Sequence, residues 1–510
     1  MIKGRFIFTA LIVLFSLIIH AQQAAPSFIT DSLDAYIQQG LKDWNIPGLS
    51  IAIVKDGKTV VMKGYGVKDV ESKEPVDENT LFMIASNSKL FTGTSIAQLD
   101  YNKKLSLDDK VSKYINGYEL YDKNTTELVT IRDLLSHRIG TKTFQGDFVF
   151  WNSNLSRQTI MYRMRYMKPP AIFRQDYGYC NSCFLTAGEV IPIVSGKPWE
   201  VYVYDSLLMP LKMNNTNTLA QGMLQRPNVA KPYTSVFTGK LTRIPYDNVD
   251  NLAPAGSIIS NVNDMSHWLL MQLDSGRYEG KRIVAWEAIK KTRTMNIPIR
   301  SQRSAIYPIN FAGYGLGVFM ADYNGRQIYY HTGGADGFVT NTCFVPEEKL
   351  GITILTNNDN QDFFEALRYQ ILDAYLGVPY VNRSKQLLSP FMKDLNAAVK
   401  NTDALKARVK GSKYALPIEA YTGTYVNELY GPVSIDKDKD GKGLVIDFKG
   451  HNNLKATLKY MDKGEWLLTY NHLGYGIFPV KFKTAGNKVI SVETRVNDFI
   501  DYDPYNFIKK

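Results

Sequence analysis

Ser86 and Lys89 stand three residues apart in the stretch Phe82-Met83-Ile84-Ala85-Ser86-Asn87-Ser88-Lys89-Leu90-Phe91-Thr92. On a helix, positions i and i+3 share a face, so this Ser-x-x-Lys brings a hydroxyl beside an amine. A serine is a poor nucleophile until a base stands next to it, and a partly desolvated lysine can be that base. The pair alone is also what an N-cap serine with a surface lysine one turn on looks like. Two later stretches supply the missing chemistry. Tyr179-Cys180-Asn181 offers a phenol and an amide, and His331-Thr332-Gly333-Gly334 offers an imidazole, a hydroxyl and a backbone able to approach a substrate closely. Acyl transfer needs a nucleophile, a base, an acid for the leaving group and donors for an oxyanion. Ser86, Lys89 and Tyr179 are therefore the candidate catalytic residues. Asn181, His331, Thr332, Gly333 and Gly334 are the candidate substrate-binding residues. A cation such as Lys89 would stabilise the Tyr179 phenolate and make it a proton shuttle.

These residues need elements to hold them. The apolar approach to Ser86 predicts a helix that begins at Ser86 and runs to about Tyr101, with unpaired N–H groups around the serine oxygen. Leu33, Tyr36, Ile37 and Leu41 lie at helical spacing, and Pro47-Gly48 ends that helix. Leu49 to Val54 reads as a strand, Lys55-Asp56-Gly57-Lys58 as a turn and Thr59 to Met62 as the returning strand. Thr130 and Asp133 are placed as a near capping box. Asn263 to Leu273 reads as a helix. Gln327 to Tyr330 and Thr342 to Val345 read as strands around a His331–Gly334 turn. Gly351 to Thr356 reads as a buried strand, and Phe363 to Leu376 as a helix ended by Gly377. Residues 381–417 are polar and helical in character. From Tyr421 onward short strands alternate with turns, and Pro479 puts one of them at an edge or bulge. The stacked aromatics Tyr425, Tyr430 and Trp466 in that segment read as core packing before glycan or peptide binding.

Length and charge narrow the class. The 510 residues suffice for more than one domain, and the formal charge of +11 is spread along the chain. Scattered basic residues predict a solvated surface and no nucleic-acid partner. Lys3 and Arg5 before the apolar run Phe6 to Ile19 predict a signal peptide over residues 1–21, hence a secreted or periplasmic protein with no membrane span after its removal. Cys180, Cys183 and Cys343 are an odd set, against a disulfide framework. The Cys180-x-x-Cys183 spacing lacks a second pair or a nearby histidine, so buried thiols are expected in preference to a metal site. No cofactor and no metal are called for.

With Ser-x-x-Lys, Tyr-x-Asn and His-Thr-Gly in that order, the chain resembles the serine β-lactamase and penicillin-binding-protein superfamily, in its class C, DD-peptidase and esterase branch. Ile131-Arg132-Asp133-Leu134-Leu135-Ser136-His137, Pro254-Ala255-Gly256, Gly313-Tyr314-Gly315-Leu316-Gly317 and Gly337-Phe338 add to the likeness over residues 30–380. The resemblance implies an α/β (α+β) fold: an antiparallel sheet flanked by helices, with an all-helical subdomain. Tyr421-Thr422-Gly423-Thr424-Tyr425 followed by Tyr430-Gly431 resembles the small all-β, barrel-like domain that often follows. The domains expected are residues 22–380 for the hydrolase, 381–417 for a connector and 418–510 for the β domain. A chain ending near Val381 is expected to stay soluble with some activity. The resemblance also implies the N–H groups of Ser86 and Gly334 as the oxyanion hole. The activity it implies is hydrolysis through an acyl-enzyme on Ser86, of D-amino-acid peptides, peptidoglycan stems or other small amides and esters. A carboxylesterase or weak β-lactamase on the same scaffold, or a non-catalytic binding protein that kept the fold, are the alternatives. One departure stands out: position 331 is His where most β-lactamases of this branch carry Lys. A histidine there is expected to act as a pH-sensitive donor, titrating between about pH 5.5 and 7.5.

Overall fold

The computed structural model describes residues 25–409, 411 and 414–510. The signal-peptide reading of residues 1–21 falls outside them.

An eight-stranded antiparallel sheet forms the centre. Its strands are β1 (Gly48–Lys55), β2 (Lys58–Gly66), β3 (Ile297–Arg300), β4 (Ala312–Tyr314), β5 (Phe319–Tyr323), β6 (Arg326–Ala335), β7 (Phe338–Val345) and β8 (Leu350–Thr356), in the spatial order β2-β1-β8-β7-β6-β5-β4-β3. The side chains of β1 alternate between two cores, as a strand's two-residue period requires. Leu49, Ile51 and Ile53 pack with Leu33 and Ile37 of the Leu33–Asp43 helix and with Phe363 and Leu367 of the Phe363–Leu376 helix. Ala52 and Val54 face the other way, into the core that holds Phe91, Trp268 and Leu269. Covered on both faces, β1 is an almost unbroken apolar run.

Several expected elements are present within a residue or two. Thr130 and Asp133 form a complete capping box, and Gly377 ends its helix at φ 68°. Short helices between residues 123 and 203 make the helical subdomain. Two readings need correction. The α-helix begins at Ser88, and Ser86 sits in a 3-10 turn, Ala85–Asn87, ahead of it. His331–Gly334 is no turn: it continues β6, with His331 opposite Thr342 and Gly334 opposite Val339, and the reversal falls at Asp336-Gly337. The pair of glycines invited the turn reading, yet Gly333 is needed for a different reason. A Cβ there would lie 2.1 Å from the Ile84 carbonyl oxygen, so only glycine lets β6 press against the turn that carries Ser86.

After the long Arg383–Ala407 helix the chain closes an eight-stranded barrel: β9 (Gly423–Asn427), β10 (Gly431–Lys437), β11 (Leu444–Asp447), β12 (Lys455–Tyr460), β13 (Glu465–Tyr470), β14 (Ile477–Ala485), β15 (Lys488–Thr494) and β16 (Tyr505–Lys509). Tyr425, Tyr430 and Trp466 are buried core residues. Pro479 lies where β14 pairs with β13 and its register with β15 has not yet begun. The barrel shares a core with the first part of the chain. Phe148, fully buried, packs its ring 5.1 Å from those of Tyr430 and Tyr505 and 5.6 Å from that of Phe448. A change of texture in the sequence is therefore not a gap in the packing, which argues against a self-sufficient chain ending near Val381.

Candidate active site

Ala85 holds φ 45°, a left-handed conformation that costs a residue with a Cβ about 1 kcal/mol. Its neighbours hold the turn in place. The Ser88 hydroxyl donates to the Ala85 carbonyl at 2.7 Å, and the Asn87 amide donates to the Ile84 carbonyl and to Thr340 Oγ1 at 3.1 and 2.9 Å. The strained turn projects Ser86 into a cleft of about 320 Å³, where it keeps 9% of its surface exposed.

Lys89 is wholly buried behind Ser86. Its Nζ lies 3.1 Å from Ser86 Oγ, 2.6 Å from Asn181 Oδ1 and 2.8 Å from the Ala255 carbonyl. Burial pulls its pKa down to about 7, against the opposing pull of Asp147 and Cys180. In the neutral form two N–H bonds still serve Asn181 and Ala255, and the lone pair points at the Ser86 hydroxyl. That is the arrangement a general base needs. It also explains Pro254-Ala255-Gly256, whose middle carbonyl orients the amine.

Tyr179 lines the cleft with Ser86, and its ring centroid lies 4.6 Å from Lys89 Nζ. Burial raises its pKa above the ordinary phenol value, so it stays a neutral phenol. The lysine next to it does not make a phenolate, contrary to the expectation above, because desolvation outweighs it. Its ring is steadied by His137, 4.2 Å away, whose Nδ1 accepts the Cys180 N–H at 3.0 Å.

His331 lines the cleft but is only 1% exposed, with both ring nitrogens engaged. Nδ1 lies 2.6 Å from the Thr332 carbonyl, which can only accept. Nε2 therefore accepts from the Tyr314 hydroxyl at 2.9 Å. Burial and the Lys89 charge push its pKa down to about 3, so the expected titration near neutrality is overturned. A lysine at 331 would put a second buried amine near Lys89. His331→Lys should lower stability by about 3 kcal/mol, the scale of an uncompensated buried charge, and weaken all substrates alike. Urea melts and kcat/KM for a charged and a neutral substrate check this. An unchanged melt with a shifted substrate ratio would contradict it.

Among the described residues, β6 has no partner strand on its β5 side beyond Tyr330. Thr332, Gly334 and Ala335 line the cleft beside Ser86, so a free strand edge faces the space a substrate would occupy.

Three groups escaped the sequence reading. Asp147 Oδ2 accepts from Asn181 Nδ2 at 2.6 Å, fixing which way the amide presents its oxygen to Lys89. Burial pushes the Asp147 carboxyl well above the usual range. An acid opening the apolar run Phe148-Val149-Phe150-Trp151 was its only signal in the sequence. The second group is the barrel segment Phe499, Ile500 and Tyr502, which lines the cleft. Phe499 lies on Gly334, where a Cβ would come within 2.8 Å of its ring, and Tyr502 stacks on Phe144 at 5.7 Å. Asp501 anchors this segment by accepting the Phe148 N–H at 3.2 Å and the Tyr505 hydroxyl at 2.7 Å. The third is a buried cluster below the cleft. Asp247 accepts from Trp151 Nε1 at 3.0 Å and from the Asp336 N–H at 2.9 Å, and His472 of the barrel lies 3.4 Å from Asp336.

Known proteins resemble this chain along most of its length. Residues 33–376 match the family model described as Beta-lactamase. Unguisins hydrolase ungD of Aspergillus violaceofuscus is 26% identical over 443 residues, covering 80% of this chain and 76% of its own. Protein flp of Staphylococcus aureus strain MW2 is 28% identical over 335 residues, 64% of this chain and 63% of its own. The octameric penicillin-binding protein homologue from Pyrococcus abyssi superposes with a TM-score of 0.61 at 23% identity, over 94% of this chain and 99% of that one, which shows a shared fold. With a family match spanning most of its length and both halves of the fold shared, the chain belongs to the Beta-lactamase family, the serine hydrolase superfamily of β-lactamases and penicillin-binding proteins.

Proposed function

We propose that the protein is an exported serine hydrolase that works through an acyl-enzyme on Ser86. One observation carries this reading: a buried Lys89 with its amine held on Ser86 Oγ by Asn181 and Ala255. Lys89 takes the Ser86 proton as Oγ adds to the substrate carbonyl. The backbone N–H groups of Ser86 and Gly334, both on the cleft, are the candidates to hold the oxyanion. Tyr179, on the cleft beside Ser86 and Lys89, passes the proton to the leaving group as the tetrahedral centre collapses, and water then releases the acyl group. Asn181, His331, Thr332, Gly333 and Gly334 shape the substrate side. A relative named as a hydrolase of unguisins supports hydrolysis as the reaction class.

The substrates proposed are small amides or esters, D-amino-acid peptides and peptidoglycan stems among them. A carboxylesterase is the second reading, and the cleft favours it on one count. Its lining includes Phe144, Trp151, Tyr177, Phe319, Phe499 and Tyr502 but, among the described residues, no lysine or arginine that would pair with a free carboxylate. Export rests on the N-terminal sequence. Among the described residues no helix is long and apolar enough to cross a membrane. A screen of p-nitrophenyl esters, nitrocefin and D-Ala-D-Ala peptides tests the proposal, and inactivity on every amide and ester would refute it.

The base sets the pH profile. Lys89 must be neutral to accept a proton and its pKa lies at about 7. Activity should therefore fall as pH drops through about 7 and level off above it. A single acid limb in kcat/KM between about pH 6 and 8 is expected. A limb near pH 10, or none, would contradict Lys89 as the base.

A further inference from the structure

Cys180 and Cys183 open the Asn181–Gly188 helix, with Cys180 as its N-cap, and their sulfur atoms lie 3.0 Å apart. Both are buried, and Cys180 also touches the Ser182 hydroxyl at 3.3 Å. Cys343 belongs to the separate core on the other face of the sheet. The two thiols sit inside the catalytic segment itself: Tyr179 precedes the first, and Asn181 lies between them. Simple packing explains two buried thiols. It does not require both sulfurs to point at one another across a helical turn.

We propose that Cys180 and Cys183 form a reversible disulfide that ties the Tyr179–Asn181 segment to the first turn of its helix. Closing the bond takes the sulfurs from contact to about 2.05 Å, a small movement for residues i and i+3. The oxidant is a low-molecular-weight disulfide. The Cys180 thiolate attacks one of its sulfurs and expels one thiol. Cys183 then loses its proton and attacks the Cys180 sulfur, expelling the second thiol, so two cysteines are oxidised and one small disulfide is reduced to two thiols. Cys180 suits the attacking role: the hydrogen bond from Cys183 and its place at a helix start bring its pKa to about 7. The bond would also remove the Cys180 negative charge that favours the Lys89 cation. Oxidation should then make Lys89 easier to deprotonate and move the acid limb to lower pH. This last effect rests on the proposed role of Lys89; the bond itself does not.

The purified full-length chain is equilibrated in oxidised and reduced glutathione, and a second sample is unfolded in urea and refolded in the same buffers so that burial cannot block access. Both are quenched in acid, denatured, alkylated and digested. The expected product is a peptide carrying residues 180 and 183 that lacks two hydrogens and resists alkylation, while Cys343 is alkylated. Three alkylated thiols in both samples, or glutathione left on Cys180, would overturn the pair. The pH midpoint of fluorophosphonate labelling of Ser86 should lie lower in the oxidised chain than in the reduced one, with no such difference in Cys183→Ala. Equal midpoints alongside a formed bond would overturn the coupling to Lys89. Absence of any labelling would refute the reading of Ser86 and leave the thiol result standing.

Discussion

Replacing Ser86 by alanine should abolish turnover, by at least about 10³-fold, in a chain that folds and melts as before. The hydroxyl lies within reach of the Lys89 amine and lines the cleft. Its loss removes a hydrogen-bond partner but no packing. Lys89 keeps Asn181 and the Ala255 carbonyl, so the buried amine remains paired and stability should change by no more than about 1 kcal/mol. Steady-state kinetics on the best substrate and a circular dichroism melt decide the point. Activity within about tenfold of the parent would mean that the nucleophile lies elsewhere.

Removing the barrel should be almost as damaging, and for both packing and chemistry. A chain ending near Val381 would uncover Phe148, which packs against the rings of Tyr430, Phe448 and Tyr505, and each such side chain returned to water costs about 2 kcal/mol. It would also lose Phe499, Ile500 and Tyr502 from the cleft wall and the Asp501 carboxylate from the Phe148 N–H. Because Asp147, next to Phe148, orients Asn181, the disturbance reaches Lys89. The shortened chain should aggregate on size-exclusion chromatography, or lose at least about 100-fold in kcat/KM where it stays soluble. A soluble monomer with a tenth or more of the parent activity would show that the barrel is dispensable. Phe499→Ala in the full chain isolates the wall: it should change the ranking of acyl groups by size and leave the melt unchanged.

The parts of this site legible in the sequence are those set by short spacing. Ser86 and Lys89, three residues apart, meet at 3.1 Å, and Tyr179 and Asn181, two residues apart, both line the cleft. The β9–β16 strands announced themselves by alternation and turn residues, and Thr130–Asp133 by its cap. What escaped depends on contacts distant in sequence. His331 looks like a solvent-facing switch until Tyr314 and the burial around it are known. Asp147 looks like any acid until Asn181 arrives from 34 residues away. Nothing local in residues 499–502 tells of a cleft formed by the other half of the chain. The 3-10 turn at Ser86 escaped for a related reason. Ala85 is held at positive φ by Ser88, Asn87 and the approach of Gly333, and residue propensity disfavours that conformation.

The identity of the nucleophile is tested most directly by mapping a covalent adduct. The full-length protein is treated with a fluorophosphonate at several pH values, digested and analysed by mass spectrometry. One modified peptide is expected, carrying the group on Ser86, with a labelling rate that rises as pH increases through about 7 in step with the Lys89 amine. An adduct on another serine, or labelling of Ser86 that ignores pH across that range, would contradict it.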